Sequence, residues 1–241
     1  MKKFIKIVFF VLVSCALSLV TYAQQEEVAN SKATTENPGT TKVKITTDMG
    51  EMVVLLYDAT PKHRDNFIKL VQQGFYDSLL FHRIIQGFMI QGGDPLSKNA
   101  AAGAMLGMGG GEMQRIPAEF NRNLIHKKGA LAAARDGNPE KASSACQFYI
   151  VQGRVYNDKS LDSVETYRLN GRKIPVEQRE VYKTLGGAPH LDQTYTIFGE
   201  LVSGFDVIDK IANTKTNGRR SGDKPVVDIR IKKVKLIKRD K

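Results

Sequence analysis

The chain is expected to be mainly β, a closed antiparallel barrel whose ends are plugged by helices. Two features of the 241-residue sequence predict this. Short segments with apolar residues at every second position recur from residues 42–47 to residues 229–236, the period that sends successive side chains to opposite faces of a strand. Outside residues 154–188, only residues 61–74 and 205–212 carry apolar side chains at helical spacing. Many short strands with two short helices fit a sheet that closes on itself and so removes its own edges.

The elements follow in order. Residues 42–47 alternate, Asp48-Met49-Gly50 turns, and residues 51–57 return, which is a hairpin. Thr60 stands where a helix N-cap belongs, and Pro61 supplies a φ already suited to the first turn. In that helix Phe67, Leu70 and Val71 share a face. Residues 77–91 read as strand, turn, strand. Residues 95–111 are rich in glycine, alanine and methionine without a period, a loop of the length at which loops tend to be functional or mobile. Met105, Met108 and the nearby Met113 form either an adaptable rim that contacts peptide or a set of gap fillers. Residues 147–151 and 195–202 are further strands, residues 205–212 are a helix with Val207, Ile208 and Ile211 inward, and residues 226–237 close the sheet. An extra element interrupts this plan at about residues 154–188. There residues 161–168 and 175–185 look helical, the second opened by Pro175 and closed by Gly186-Gly187, as a polar surface hairpin of helices.

The ends of the chain carry different information. Lys2, Lys3 and Lys6 precede a nearly continuous apolar run from Ile7 to Val20, and Thr21-Tyr22-Ala23 places small residues before a cleavage point. Residues 1–23 are therefore expected to be a secretory signal peptide, too short and wrongly flanked for a membrane span. An alternative uses Leu12-Val13-Ser14-Cys15 as a lipoprotein box, with membrane anchoring through a lipidated Cys15; the apolar run continuing past Cys15 argues against it. Both readings take the protein out of the cytoplasm, the first to the periplasm. Residues 24–41 are polar and read as a disordered tether, with the domain at residues 42–241. Loss of Cys15 leaves Cys146 alone, so no intrachain disulfide is expected and Cys146 reads as a small buried residue. The net charge is +11, or +8 once the three signal lysines are gone. The basic C-terminal run alternates Ile229 and Ile231, then Val234 and Leu236, with its cations, which marks a half-buried strand with a solvated face and not a nucleic-acid patch.

The chemistry concentrates in Phe81-His82-Arg83-Ile84-Ile85-Gln86-Gly87-Phe88-Met89-Ile90-Gln91-Gly92-Gly93-Asp94. One guanidinium stands among large apolar side chains. Arginine does not give up its proton in water-like conditions, so such a site binds and polarises a ligand and transfers no proton. This block resembles the signature of the cyclophilins, the peptidyl-prolyl cis-trans isomerases; residues 129–150 and 189–202 continue the resemblance, which spans residues 43–237.

The resemblance implies a closed eight-stranded antiparallel barrel capped by two helices, with the helical insertion as an addition. It makes residues 129–134 a strand lining the groove, although their alanine content alone favours a helix. It implies catalytic roles for Arg83, Phe88 and Gln91, with Gln91 binding the substrate backbone. Phe88, Met89, Tyr149 and Leu191 would form the proline pocket, with Ala134, Arg135, Gln147, His190 and Tyr195 along the groove. Phe88 and Met89 are adjacent, so a regular strand would send them to opposite faces; a local twist must bring both to the groove, or one is core. Of Phe148 and Tyr149, Tyr149 is assigned to the pocket. The family commonly has phenylalanine at Tyr149, asparagine at Arg135, and tryptophan or phenylalanine at His190, so these departures bear on peptide preference and cyclosporin affinity.

The expected function is isomerisation of X-Pro bonds in exported or unfolded polypeptides, by a monomer without metal, small-molecule cofactor or nucleic acid. The alternative is a cyclophilin-fold holdase with incidental turnover. His82 is expected in the barrel wall, and His63, His126 and His190 lack paired ligand spacing. Residues 107–111 lack the lysine and helix of a phosphate loop.

Overall fold

The computed structural model describes residues 41–101 and 103–237. The expected signal peptide, Cys15 and residues 24–40 of the expected tether lie outside the described residues, as do Ala102 and residues 238–241.

The described chain is mainly β. Its strands are β1 (Thr41–Thr47), β2 (Gly50–Leu56), β3 (Arg83–Ile85), β4 (Met89–Gly92), β5 (Ala130–Ala133), β6 (Phe148–Val151), β7 (Ile197–Ser203) and β8 (Ile231–Ile237). They form one eight-stranded antiparallel sheet in the order β3-β4-β6-β5-β7-β2-β1-β8. The sheet curls until its two ends meet, but no full strand pair joins them. Leu80 bridges Arg230, the Ser78 N–H donates to the Ile231 carbonyl at 2.8 Å, and the Phe81 N–H donates to the Ile229 carbonyl at 2.9 Å. The barrel is therefore closed by irregular backbone just ahead of β3 and β8.

β8 starts five residues later than residue 226, where the sequence pattern placed it. Pro225 has no N–H for a ladder, and this stretch pairs locally instead: Thr216 bridges Pro225 and the Val226 N–H donates to the Lys215 carbonyl. β7 likewise begins at Ile197, leaving Tyr195 in the preceding turn.

Residues directly opposite one another on paired strands share a face. Ile84, Ile90, Ile150 and Leu131 form one such row, and all are essentially inaccessible in the main core. The adjacent row is Arg83, Gln91, Tyr149 and Ala132, which face the other way. Tyr149, Ala132 and Met89 belong to a second apolar cluster on the outside of the barrel, while Phe148, one residue from Tyr149, lies in the main core.

Among the described residues four α-helices accompany the sheet: α1 (Pro61–Gln72), α2 (Asp158–Tyr167), α3 (Val176–Thr184) and α4 (Phe205–Ala212). α1 packs on β7 and β8, and α4 packs on β2, β3 and β4. α1 buries Phe67, Leu70 and Val71, and α4 buries Val207, Ile208 and Ile211.

The start of α1 departs from the expectation. Thr60 occupies the N-cap position but makes no capping bond, and its hydroxyl is buried with no partner among the described residues. Glu119, distant in sequence, supplies the cap. Its Oε1 accepts from the Lys62 N–H and its Oε2 from the His63 N–H, both at 3.0 Å. Its Oε2 also lies 2.6 Å from His63 Nδ1. A carboxylate there is further favoured by the helix dipole.

α2 and α3 belong to the insertion. Asn157 and Ser160 form a reciprocal capping box at the start of α2. The expected polar hairpin has a core of its own: Tyr156, Leu161, Val164, Ile174 and Tyr182 cluster there, with Ile125 and Leu169 against them. Glu165 is buried beside this core and accepts from Lys173 and Arg179, each at 2.7 Å, and from the Ile174 N–H at 3.0 Å.

Glu119→Ala removes the α1 cap and is expected to lower stability by about 1–2 kcal/mol, read as a lower urea midpoint with an unchanged slope. Glu119→Gln, which keeps one acceptor, loses less.

Candidate active site

A groove of about 510 Å³ opens on the outer face of β3, β4 and β6. Arg83, Phe88, Met89, Gln91, Ala134, Arg135, Tyr149, His190, Leu191 and Tyr195 line it. Gln147 does not. It is buried behind the wall, where its Nε2 donates to the carbonyls of Gly107 at 3.0 Å and Gly109 at 2.9 Å, and its Oε1 accepts from Gln91 at 3.1 Å. Gln147 therefore orients Gln91 and ties down the long loop.

The outward row explains most of the site. Arg83 pairs with Gln91 across β3 and β4, and Gln91 pairs with Tyr149 across β4 and β6. Cation, amide and aromatic ring thus stand side by side. Phe88 precedes β4 and lies in the turn made by Gly87, whose φ of 72° is the left-handed region that favours glycine. The Phe88 N–H donates to the Ile85 carbonyl at 3.0 Å. Because Phe88 is outside the strand, it reaches the same groove as Met89, and no bulge is needed.

Arg83 keeps its donors available. Its side chain is 41% exposed, and Asp223 Oδ2 approaches its Nε only to 3.7 Å, an ion-pair distance and not a hydrogen bond. The contact from its Nη1 to Gln91 Oε1 is long, at 3.4 Å. Asp223 adopts a φ of 55°, and its carbonyl accepts the Ile84 N–H at 2.9 Å, which fixes the loop against β3. The side chain of Asp223 steadies Arg83 without consuming it.

Arg135 is spoken for. Its Nε donates to the Thr194 carbonyl and its Nη1 to the Asp136 carbonyl, both at 2.9 Å, and its guanidinium lies 4.6 Å over the Tyr195 ring. His190 packs on Phe88 with centroids 5.4 Å apart. Burial, with the Arg168 charge adding to it, pushes His190 down to about 4, so its ring is neutral near neutral pH. Burial likewise pushes His82 down to about 4. His82 lines the groove as well as the barrel wall, and neither of its ring nitrogens has a partner among the described residues.

Sequence reasoning missed the support beneath the pocket. The Tyr149 hydroxyl is 2.9 Å from His126 Nε2, and His126 Nδ1 is 2.8 Å from Asp192 Oδ1. Tyr182 Oη donates to Asp192 Oδ2 at 2.6 Å. All four side chains are buried. A carboxylate can only accept, so Nδ1 of His126 carries the proton it shares with Asp192, and Nε2 accepts from the Tyr149 hydroxyl. Burial holds the Tyr149 phenol well above its ordinary value, so it stays protonated and donates. The hydroxyl that departs from the family's phenylalanine has a dedicated acceptor, which no local spacing in the sequence reveals.

The motif's Asp94 is fully buried. It accepts from the Gly107 N–H and, at 2.8 Å, from the Leu96 N–H, so the long loop is tied at both ends. The loop's methionines divide. Met108 lines the groove and is largely exposed, Met105 is exposed, and Met113 packs on the main core. Gly107, Leu106, Gly222 and Arg168 also line the groove; Arg168 belongs to the insertion.

Comparisons with known proteins agree with this geometry. The family described as cyclophilin type peptidyl-prolyl cis-trans isomerase/CLD matches residues 42–236, and the chain belongs to it. A provisionally named peptidyl-prolyl cis-trans isomerase of Staphylococcus saprophyticus is 35% identical over 199 residues, covering 81% of this chain and 91% of its own length. A protein of Streptococcus pyogenes, provisionally named a bifunctional phosphatase/peptidyl-prolyl cis-trans isomerase, is 37% identical over 206 residues. That match covers 83% of this chain, which spans only 40% of the streptococcal protein. A crystal structure of a Cryptosporidium parvum cyclophilin type isomerase shares the fold, with a TM-score of 0.61 and 24% identity over 83% of this chain and 99% of that one. The same protein crystallised in the presence of the dipeptide Ala-Pro has a TM-score of 0.57. As a family member the protein is a peptidyl-prolyl cis-trans isomerase.

Tyr149→Phe strands His126 Nε2 in a buried site and is expected to cost about 1–3 kcal/mol of stability, although phenylalanine is the family's usual residue. Denaturant midpoints of the variant and the wild type measure it.

Proposed function

We propose that this groove accelerates rotation about X-Pro bonds of polypeptides outside the cytoplasm, with Arg83 stabilising the twisted imide. The observation that carries the reading is a half-exposed guanidinium with uncommitted donors beside the apolar hollow of Phe88, Met89, Tyr149 and Leu191.

A planar X-Pro amide resists rotation through its partial double-bond character, with a barrier of roughly 18–20 kcal/mol. At the twisted midpoint that resonance is lost and the proline nitrogen becomes a pyramidal acceptor. Arg83 donates to that lone pair, which hardly exists in either planar isomer, so the interaction is made in the transition state and not in the ground states. The apolar hollow grips the proline ring. Gln91, oriented by Gln147, holds the neighbouring backbone while the other side turns. A thousandfold acceleration needs about 4 kcal/mol. One charge-assisted hydrogen bond supplies about 1.5–3 kcal/mol, and donors fixed in place before the reaction supply the remainder.

The basic start, the apolar run to Val20 and the small residues before Gln24 support an exported, periplasmic protein whose clients are unfolded or exposed polypeptides. Assistance to their folding is then the cellular role, exercised as a monomer without cofactor. Loss of the first 23 residues on export is expected, and the mass of the mature N-terminus distinguishes it from lipidation at Cys15.

Arg83→Ala is expected to lower kcat/KM on a short proline peptide by roughly 10- to 150-fold, the equivalent of one charge-assisted hydrogen bond. Peptide affinity should be retained within a few-fold. Full turnover in the variant would remove the mechanism. Client protection that survives Arg83→Ala unchanged would favour the holdase.

A further inference from the structure

The insertion reaches the groove through one side chain, Arg168. Arg168 is the residue at the C-terminal end of α2. Its neighbour Leu169 packs into the insertion's core, and the turn is pinned by the Leu169 N–H to the Val164 carbonyl at 3.0 Å and the Gly171 N–H to the Glu165 carbonyl at 2.8 Å. The guanidinium is thus delivered to the groove wall by an anchored turn and not by a free loop.

The insertion as a whole is held to the proline pocket. Tyr182 of α3 and the Arg172 guanidinium both bind Asp192, the first at its carboxylate and the second at its carbonyl, at 2.6 and 2.8 Å. Asp192 holds His126, and His126 holds Tyr149. The insertion that carries Arg168 is therefore tied to the ring that grips proline.

Its electrostatic situation is distinct. Arg135 is engaged by two carbonyls, Arg154 lies over the Tyr156 ring and Arg179 binds Glu165, while Arg83, its donors kept for the imide, has Asp223 at ion-pair distance. Among the described residues, the Arg168 side chain has neither a hydrogen bond nor an ion pair. The groove lining contains Arg83, Arg135 and Arg168 and no carboxylate. A cleft lined by one sign of charge concentrates ligands of the other sign.

We propose that the insertion gives the groove a second subsite, in which Arg168 binds the carboxylate of an aspartate or glutamate close in sequence to the client's proline. The inference rests on the isomerase reading above and names its substrate class: acidic proline-containing segments.

The test uses Ala-Pro peptides carrying Glu or Gln in turn at each position flanking the dipeptide. Isomerisation is measured by exchange NMR and affinity by titration, for the wild type, Arg168→Gln and Arg168→Glu. At one position or more, the wild type should favour Glu over Gln by about three- to fivefold at low salt, the size of an exposed ion pair, and less as salt rises. The ratio should fall to about one in Arg168→Gln and invert in Arg168→Glu. A wild-type ratio near one at every position overturns the subsite, as does a preference for Glu that survives in Arg168→Gln. Isomerisation without charge preference sinks this proposal and leaves the isomerase standing. An Arg168-dependent preference in affinity with no isomerisation does the reverse.

Discussion

Three short strands held in one register set the central row of this groove. Arg83, Gln91 and Tyr149 are neighbours only because β3, β4 and β6 pair as they do. A slip of one residue would turn Arg83 into the barrel and bring Ile84 out, since side chains alternate with a period of two. Burial resists that slip strongly. Ile84, Ile90, Ile150 and Leu131 fill the inner row, and each loses about 1.5–3 kcal/mol if left exposed. The apolar side of the sheet thereby fixes the polar side, and the site inherits its precision from the core.

The outer face adds a second constraint, a buried chain of polar groups under the pocket. Tyr149 at the end of this chain forms the pocket's floor, and Tyr182 at the other end belongs to the insertion. Each member satisfies the next, and an unsatisfied member would carry the cost of a buried polar atom. The hydroxyl of Tyr149 thus has a structural role here, where a phenylalanine would leave His126 Nε2 without its partner.

The strand pattern and the two plugging helices were legible from local periodicity, and the groove residues were expected from the resemblance of three sequence blocks to the cyclophilins. Alternation puts Phe148 and Tyr149 on opposite faces, and the resemblance assigned Tyr149 to the pocket. Three things escaped. The cap of α1 comes from Glu119, far along the chain, and a local reading credits the nearest threonine instead. Asp223 meets Arg83 through a loop whose course depends on tertiary pairing. His126 looked like a scattered histidine because its partners, Asp192 and Tyr149, lie in separate elements. Gln147, expected along the groove, is buried and bonds Gln91 together with the Gly107 and Gly109 carbonyls; a position at a strand end does not say which loop will cover it.

The place where the insertion enters the fold explains how so large an addition leaves the catalytic row undisturbed. The chain departs at Arg154 and returns at Gly187, and these two residues pair as an isolated antiparallel bridge. The Gly187 N–H donates to the Arg154 carbonyl at 3.0 Å, and the Arg154 N–H donates to the Gly187 carbonyl at 3.3 Å. With exit and entry adjacent, the barrel sees only a tight turn. Gly187 adopts a φ of 154° and admits no side chain, because a Cβ there would lie 2.7 Å from the Tyr182 ring and 2.9 Å from Lys127. Closing a longer loop adds little entropic cost, and the insertion offsets it with its own apolar cluster. Its return segment leads directly into the turn that carries His190 and Leu191. A change in the insertion is thus felt first at the pocket's edge, while Arg83, across the groove on β3, keeps its place.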